Sequence, residues 1–139
     1  MKLEIISLCD AATADQSGKL NILGSFDSLF ASQLPITHPA CAVALRIRFE
    51  AADEGNRVIE LRLADSDGKQ LLQPVKANIQ VPSGADPRAL VRNFVLNFQQ
   101  LKLTKFGEYT IDLLFDSRPV ASIPLYAIQT QPQPQQQGR

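Results

Sequence analysis

Leu101-Lys-Leu-Thr-Lys-Phe-Gly-Glu-Tyr-Thr-Ile-Asp-Leu-Leu-Phe-Asp116 decides how this chain is read. Tyr109, Ile111, Leu113 and Phe115 alternate with Thr110, Asp112 and Asp116. An apolar residue at every second position predicts a strand with one buried face. Gly107, two residues before Tyr109, is the pattern of a tyrosine corner, in which the phenol hydrogen-bonds back to the backbone of the bend. The same alternation recurs on both sides of this stretch, and no apolar pattern holds helical spacing for three turns.

Working towards the N-terminus, Phe94, Leu96 and Phe98 share one inward parity, which changes near Gln99-Gln100 so that Leu101 and Leu103 take over. Such a change marks a bulge or the corner itself. Val75, Ala77, Ile79 and Val81 line one face of a strand that Pro74 assigns to a sheet edge. Asp65-Ser-Asp-Gly-Lys69 is expected to close a hairpin, Asp-Gly being a strong hairpin signal. Cys41, Val43, Leu45, Ile47 and Phe49 alternate with Ala42, Ala44, Arg46, Arg48 and Glu50. Beyond Ala51–Gly55, Ile59, Leu61 and Leu63 do the same. Read as a hairpin centred on Asp53, this sets Leu45 opposite Leu61 and Arg46 opposite Glu60. Leu34-Pro-Ile-Thr-His-Pro39 reads as a loop, because its two prolines cannot donate to a ladder. Leu20–Phe30 reads as one extended segment, with a bulge or close approach at Gly24. Lys2–Cys9 is the first strand, and Ile123 and Leu125 belong to the last.

The fold expected is therefore all-β: an antiparallel β-sandwich of about eight strands joined by short turns. One domain is expected over residues 1–128, followed by a disordered Gln/Pro-rich tail over 129–139 that has no apolar face. At 139 residues and 45% hydrophobic, the chain fills a core without disulfide or metal staples. Fourteen basic residues balance fourteen acidic ones, so the basic excess of a nucleic-acid binder is missing. Glu4 and Asp10 break the N-terminal apolar run too early for a signal peptide, and no run is long enough to span a membrane. The expected setting is cytoplasmic, with Cys9 and Cys41 as reduced thiols.

Chemistry is thinly supplied. His38 is the only histidine, three residues before Cys41. A thiolate–imidazole pair there would be the simplest nucleophile available, but the strand parity turns Cys41 inward, where cysteine acts as a small hydrophobe. One histidine and two cysteines fall a ligand short of a zinc site. Asp53, Asp65, Asp67 and Asp116 are turn carboxylates that would serve calcium only if the topology gathers them at one end. Asp112 and Glu108 take outward parity, where solvation accounts for them. Arg46, Arg48, Arg57 and Arg62 make a mildly basic face offset by Glu50, Glu60 and Asp53. No catalytic, cofactor-binding or metal residues are assigned, and no cofactor is expected.

Met1-Lys-Leu-Glu-Ile-Ile-Ser-Leu-Cys-Asp-Ala-Ala-Thr through Gly18-Lys-Leu-Asn-Ile-Leu-Gly-Ser-Phe-Asp27 makes one recognisable block. Phe106-Gly-Glu-Tyr-Thr-Ile-Asp-Leu-Leu-Phe-Asp116 with Ser122-Ile-Pro-Leu125 makes another. Together they resemble a bacterial family of small proteins classed as a domain of unknown function. The resemblance covers residues 1–128 and implies no activity for any residue. The architecture also resembles immunoglobulin-like sandwiches, without their cysteine pair and core tryptophan. The function expected is a non-enzymatic interaction module. It would bind a protein partner or itself through the Pro74 edge strand or through the flat outward face at Ala42 and Ala44. The alternative is a small-molecule, sugar or calcium binder using the loops Gln33–Pro39, Pro82–Pro87 and Ser117–Pro119.

Overall fold

Tyr109 forms the expected corner: its phenol donates to the Lys105 carbonyl at 2.7 Å and accepts the Lys105 N–H at 3.1 Å. This bend carries the chain from one sheet to the other. A computed structural model describes residues 1–84, 86 and 90–131, and the strands within them follow in chain order. They are β1 (Lys2–Ala14), β2 (Leu20–Ser25), β3 (Ser28–Ala31), β4 (Ile36–Arg48), β5 (Gly55–Asp65), β6 (Val75–Val81), β7 (Val91–Leu103), β8 (Gly107–Phe115) and β9 (Arg118–Gln129). One sheet has the order β2-β1-β4-β7, the other β3-β9-β8-β5-β6. All pairings are antiparallel except β3 with β9. Among the described residues no helix is long and apolar enough to cross a membrane.

The two sheets face each other across one core. Val43, Leu45 and Ile47 of β4 meet Ile59 and Leu61 of β5, Ile111 and Leu113 of β8, and Leu125 of β9, all essentially inaccessible to water. Each such side chain removed from water stabilises the fold by roughly 1.5–3 kcal/mol. The all-β, largely antiparallel, sandwich-like expectation therefore holds.

Several connections differ from the sequence reading. β4 and β5 are not a hairpin: they lie in different sheets, joined by the short 3-10 turn Ala51–Asp53. Leu45 and Leu61 both point into the core, but from opposite sides. Alternation is identical for a hairpin and for an arch, which is why the register failed. Arg46 instead pairs with Asn93 in the ladder and with the Glu4 carboxylate at 3.4 Å, while Glu60 takes Arg62 at 3.1 Å.

The segment Leu20–Phe30 divides into β2 and β3, which belong to different sheets and raise the number of described strands to nine. The crossing is fixed by Phe26 N–H to the Leu8 carbonyl at 2.9 Å and Tyr126 N–H to the Asp27 carbonyl at 2.7 Å. Ile36–Pro39 is strand, not loop: Ile36, Thr37, His38 and Ala40 pair with Leu103, Lys102, Leu101 and Gln99. Pro39 falls opposite Gln100, whose φ of 52° is left-handed. Both strands switch inward parity at this point, as the pattern around Gln99-Gln100 foretold. β1 also outruns its expected end at Cys9 and continues to Ala14.

The β1–β2 hairpin folds over the outer face of its own sheet. Its tip carbonyl, Gly18 O, accepts from Asn93 Nδ2 at 3.0 Å. Beneath it Cys9, Ala42 and Ala44 are buried with Ala12, Leu20 and Val95 against them. Gly24 permits the return strand: its φ is +69°, and a Cβ there would collide with the Asp10 carboxylate. The flat Ala42/Ala44 docking face is thus covered by the chain itself. β9 extends to Gln129, and the expected tail lies outside the described residues from position 132 onwards.

Candidate functional site

The residues singled out for chemistry are dispersed. Cys41 is buried in the core and burial pushes its thiol up to about 11, so it is not a thiolate at neutral pH. His38 lies against Phe26 with ring centroids 5.6 Å apart and planes tilted by 52°, and its Nε2 is buried without a hydrogen-bond partner. Three residues of extended chain separate His38 from Cys41, about 10 Å, and no hydrogen bond between them is among those of the described residues. Cys9 and Cys41 lie on opposite faces of their sheet, in separate clusters, and both are free.

The four turn carboxylates sit at two ends. Asp53 precedes β5 and Asp116 follows β8 at one end; Asp65 closes β5 and Asp67 follows it at the other. Eleven residues of β5 put roughly 30 Å between the pairs. Each carboxylate also has a structural occupation. Asp116 accepts Val58 N–H at 2.9 Å and Arg57 Nη1 at 2.9 Å. Asp65 accepts the N–H groups of Lys69 at 2.9 Å and Asp67 at 3.0 Å. Asp53 holds the Met1 ammonium at 2.9 Å, and Asp67 meets Lys105 Nζ at 3.5 Å. Among the described residues no three His, Cys, Asp or Glu side chains are placed to hold a metal.

The candidate loops divide likewise. Gln33–Pro39 is at the tyrosine-corner end and Ser117–Pro119 at the opposite end with Pro82, while Pro87 lies outside the described residues. Nor do the arginines form one basic face. Arg46 and Arg48 share Glu4, at 3.4 and 3.3 Å, on one sheet; Arg57 and Arg62 are paired to Asp116 and Glu60 on the other. Asp112 and Glu108 line an open groove of about 470 Å³ with Arg62, Asp65, Gln70 and Thr110. That groove is open, and its hydroxyls, Ser66 and Thr110, make no hydrogen bond to a carboxylate among the described residues.

What the topology does leave open is an edge. Sheet edges carry unpaired N–H and C=O groups, and proteins blunt them with prolines, lysines or short length. β3 has four residues and β2 has six. β6 has seven, with Pro74 immediately before it and Lys76 within it. Where β9 lacks a β3 partner, it carries Pro119 and Pro124. β7 differs: it is thirteen residues long, pairs only with β4, and contains neither proline nor glycine.

The polarity of that edge follows from one bond. Phe49 N–H donates to the Leu90 carbonyl at 2.8 Å, which makes these two a directly hydrogen-bonded pair. Alternation along an antiparallel ladder then turns the main-chain groups of Arg92, Phe94, Leu96 and Phe98 towards β4. Those of Val91, Asn93, Val95 and Asn97 face outward. No backbone hydrogen bond outside the ladders engages them among the described residues. Phe94 and Leu96 are partly buried beside the edge, packed against the core. Sequence reasoning saw β7 as a strand but had no means of knowing that nothing pairs on its far side.

A family of unknown function, DUF6941, matches residues 4–128. The chain belongs to that family. No curated protein matches it in sequence. In structure it is similar to part of a β-glucosidase from Listeria innocua solved in complex with isofagomine, with a TM-score of 0.51 and 11% identity. The likeness covers 91% of this chain and only 16% of the β-glucosidase. At that identity the likeness concerns the fold alone.

Proposed function

We propose that this protein is a non-enzymatic interaction module that takes an added β-strand along the free edge of β7. The observation that carries this reading is the length of that edge, thirteen residues with no proline or glycine and with its basic residues, Arg92 and Lys102, only near the two ends. An extended partner laid there would satisfy the outward groups of Asn93, Val95 and Asn97 and cover Phe94 and Leu96. Asp53, Asp65, Asp67 and Asp116, and likewise Arg46, Arg48, Arg57 and Arg62, each already have a structural partner, and Cys41 is held as a thiol, so none supports a reaction centre. The Pro74 edge at β6 is a weaker acceptor, because it is half as long and guarded. The finer architectural comparison, with immunoglobulin-like sandwiches, rests on the Tyr109 corner and on crossings between two facing sheets. A cytoplasmic setting fits two separate, unpaired thiols.

Asn97→Pro tests the reading. Asn97 is exposed and its N–H points away from β4, so proline there deletes an edge donor and spares the existing ladder. The wild-type chain and the variant are compared by circular dichroism, by sedimentation, and by recovery of partners from native lysate. A partner or self-association present in the wild type and lost in a folded Asn97→Pro supports strand addition. Equal recovery by both moves the interaction off this edge, and a strict monomer that recovers nothing overturns the interaction reading.

A further inference from the structure

We infer that the strand accepted by β7 comes from another protein and is acidic. This rests on the strand-addition reading above and adds the charge of the partner. From Leu90 to Phe106 the chain contains Arg92, Lys102 and Lys105 and not one carboxylate. Lys105 is committed to Asp65 and Asp67, at 3.8 and 3.5 Å. Arg92 and Lys102 are exposed, flank the edge at its two ends, and have no ion-pair partner among the described residues. Elsewhere on the same sheet Arg46 and Arg48 are both neutralised by Glu4. The free edge therefore carries two unmatched positive charges and no carboxylate in its own strand.

A second copy is a poor occupant for the same reason. Antiparallel self-pairing centred on Asn97 would set Arg92 opposite Lys102 at both ends of the seam, and like charges directly opposite destabilise a ladder. Any other self-register still brings together two edges with no carboxylate between them. Pairing β7 with β6 of another copy would add Lys76 to an edge that already has Arg92 and Lys102 and no carboxylate. A complementary segment instead has alternate apolar residues to lie beside Phe94 and Leu96, and Asp or Glu near its ends to meet Arg92 and Lys102.

The test uses fluorescein-labelled nine-residue peptides with alternating Val and Thr, ended by Glu, by Gln or by Lys. Binding to the full chain is read by fluorescence anisotropy. The Glu-ended peptide is expected to bind roughly tenfold more tightly than the Lys-ended one at low salt, with the gap closing as salt rises. Arg92→Glu with Lys102→Glu should reverse the order, and Asn97→Pro should abolish binding of all three. Equal binding of the Glu- and Gln-ended peptides overturns the acidic assignment and leaves strand addition standing. Binding that survives Asn97→Pro, or binding of none of the peptides, overturns strand addition itself. A dimer in sedimentation that Asn97→Pro dissolves makes the occupant a second copy and overturns the inference.

Discussion

Tyr109→Phe removes one oxygen and leaves the ring in place. The ring is buried to 2% exposure, so its packing contribution is retained. The phenol makes two bonds to one residue, donating to Lys105 O at 2.7 Å and accepting Lys105 N–H at 3.1 Å. A net hydrogen bond contributes about 0.5–1.5 kcal/mol, so losing both should cost about 1–3 kcal/mol. For a domain of this size that corresponds to a fall in Tm of roughly 3–10 °C. Urea unfolding followed by circular dichroism should show a lower midpoint at unchanged slope. Tyr126→Phe should stay within about 0.5 kcal/mol of the wild type, because no hydrogen bond to that phenol is among those of the described residues. Lys105→Ala should be similarly mild, because the corner uses only backbone atoms of Lys105. A Tyr109→Phe protein within about 0.5 kcal/mol of wild type would refute the idea that the phenol pins the crossing from β7 to β8.

Three further outcomes follow from the same geometry. Asp116 and Ser117 turn the β8–β9 hairpin with φ of 47° and 66°; relieving the second by Ser117→Gly should stabilise the protein by about 0.5–1 kcal/mol in the same urea assay, and a loss would contradict the turn assignment. The Val58 N–H and then Arg57 hold the Asp116 carboxyl below its usual pKa, and the Lys69 N–H does so for Asp65. Stability from these groups is complete above the unfolded carboxylate value of about 3.9 and is lost as pH falls through the lower folded values. Urea midpoints should therefore be level from pH 7 to about 5 and decline below about 4, less steeply in Asp116→Asn; a decline starting near pH 6 would contradict the carboxylate assignment. Both cysteines, buried and with raised pKa, should react with a thiol reagent at pH 7 no faster than the protein opens, and rapid labelling of either in the folded protein would contradict their placement.

The alternating side chains of Cys41–Phe49, Ile59–Leu63 and Tyr109–Phe115 already specify which atoms leave water, and Gly107 with Tyr109 specifies a corner. These are local properties: strand period and turn chemistry are written within a few residues and survive any arrangement of the sheets. Which strands become neighbours is not local. The same alternation serves a hairpin or an arch, so the placing of Leu45 and Leu61 in facing sheets, rather than side by side in one, came from the packing of two whole sheets. Ala42 and Ala44 read as an open face until the β1–β2 hairpin, made possible by Gly24, closed over them. Pro39 read as a loop residue until Gln100 opposite it took up the left-handed conformation that both strands needed. The carboxylates Asp53, Asp65, Asp67 and Asp116 were visible as turn residues, but only the length of β5 put them at opposite ends. The free edge of β7 is the clearest case. An edge is the absence of a neighbour, a long-range outcome of sheet order, and no pattern inside Val91–Leu103 encodes it.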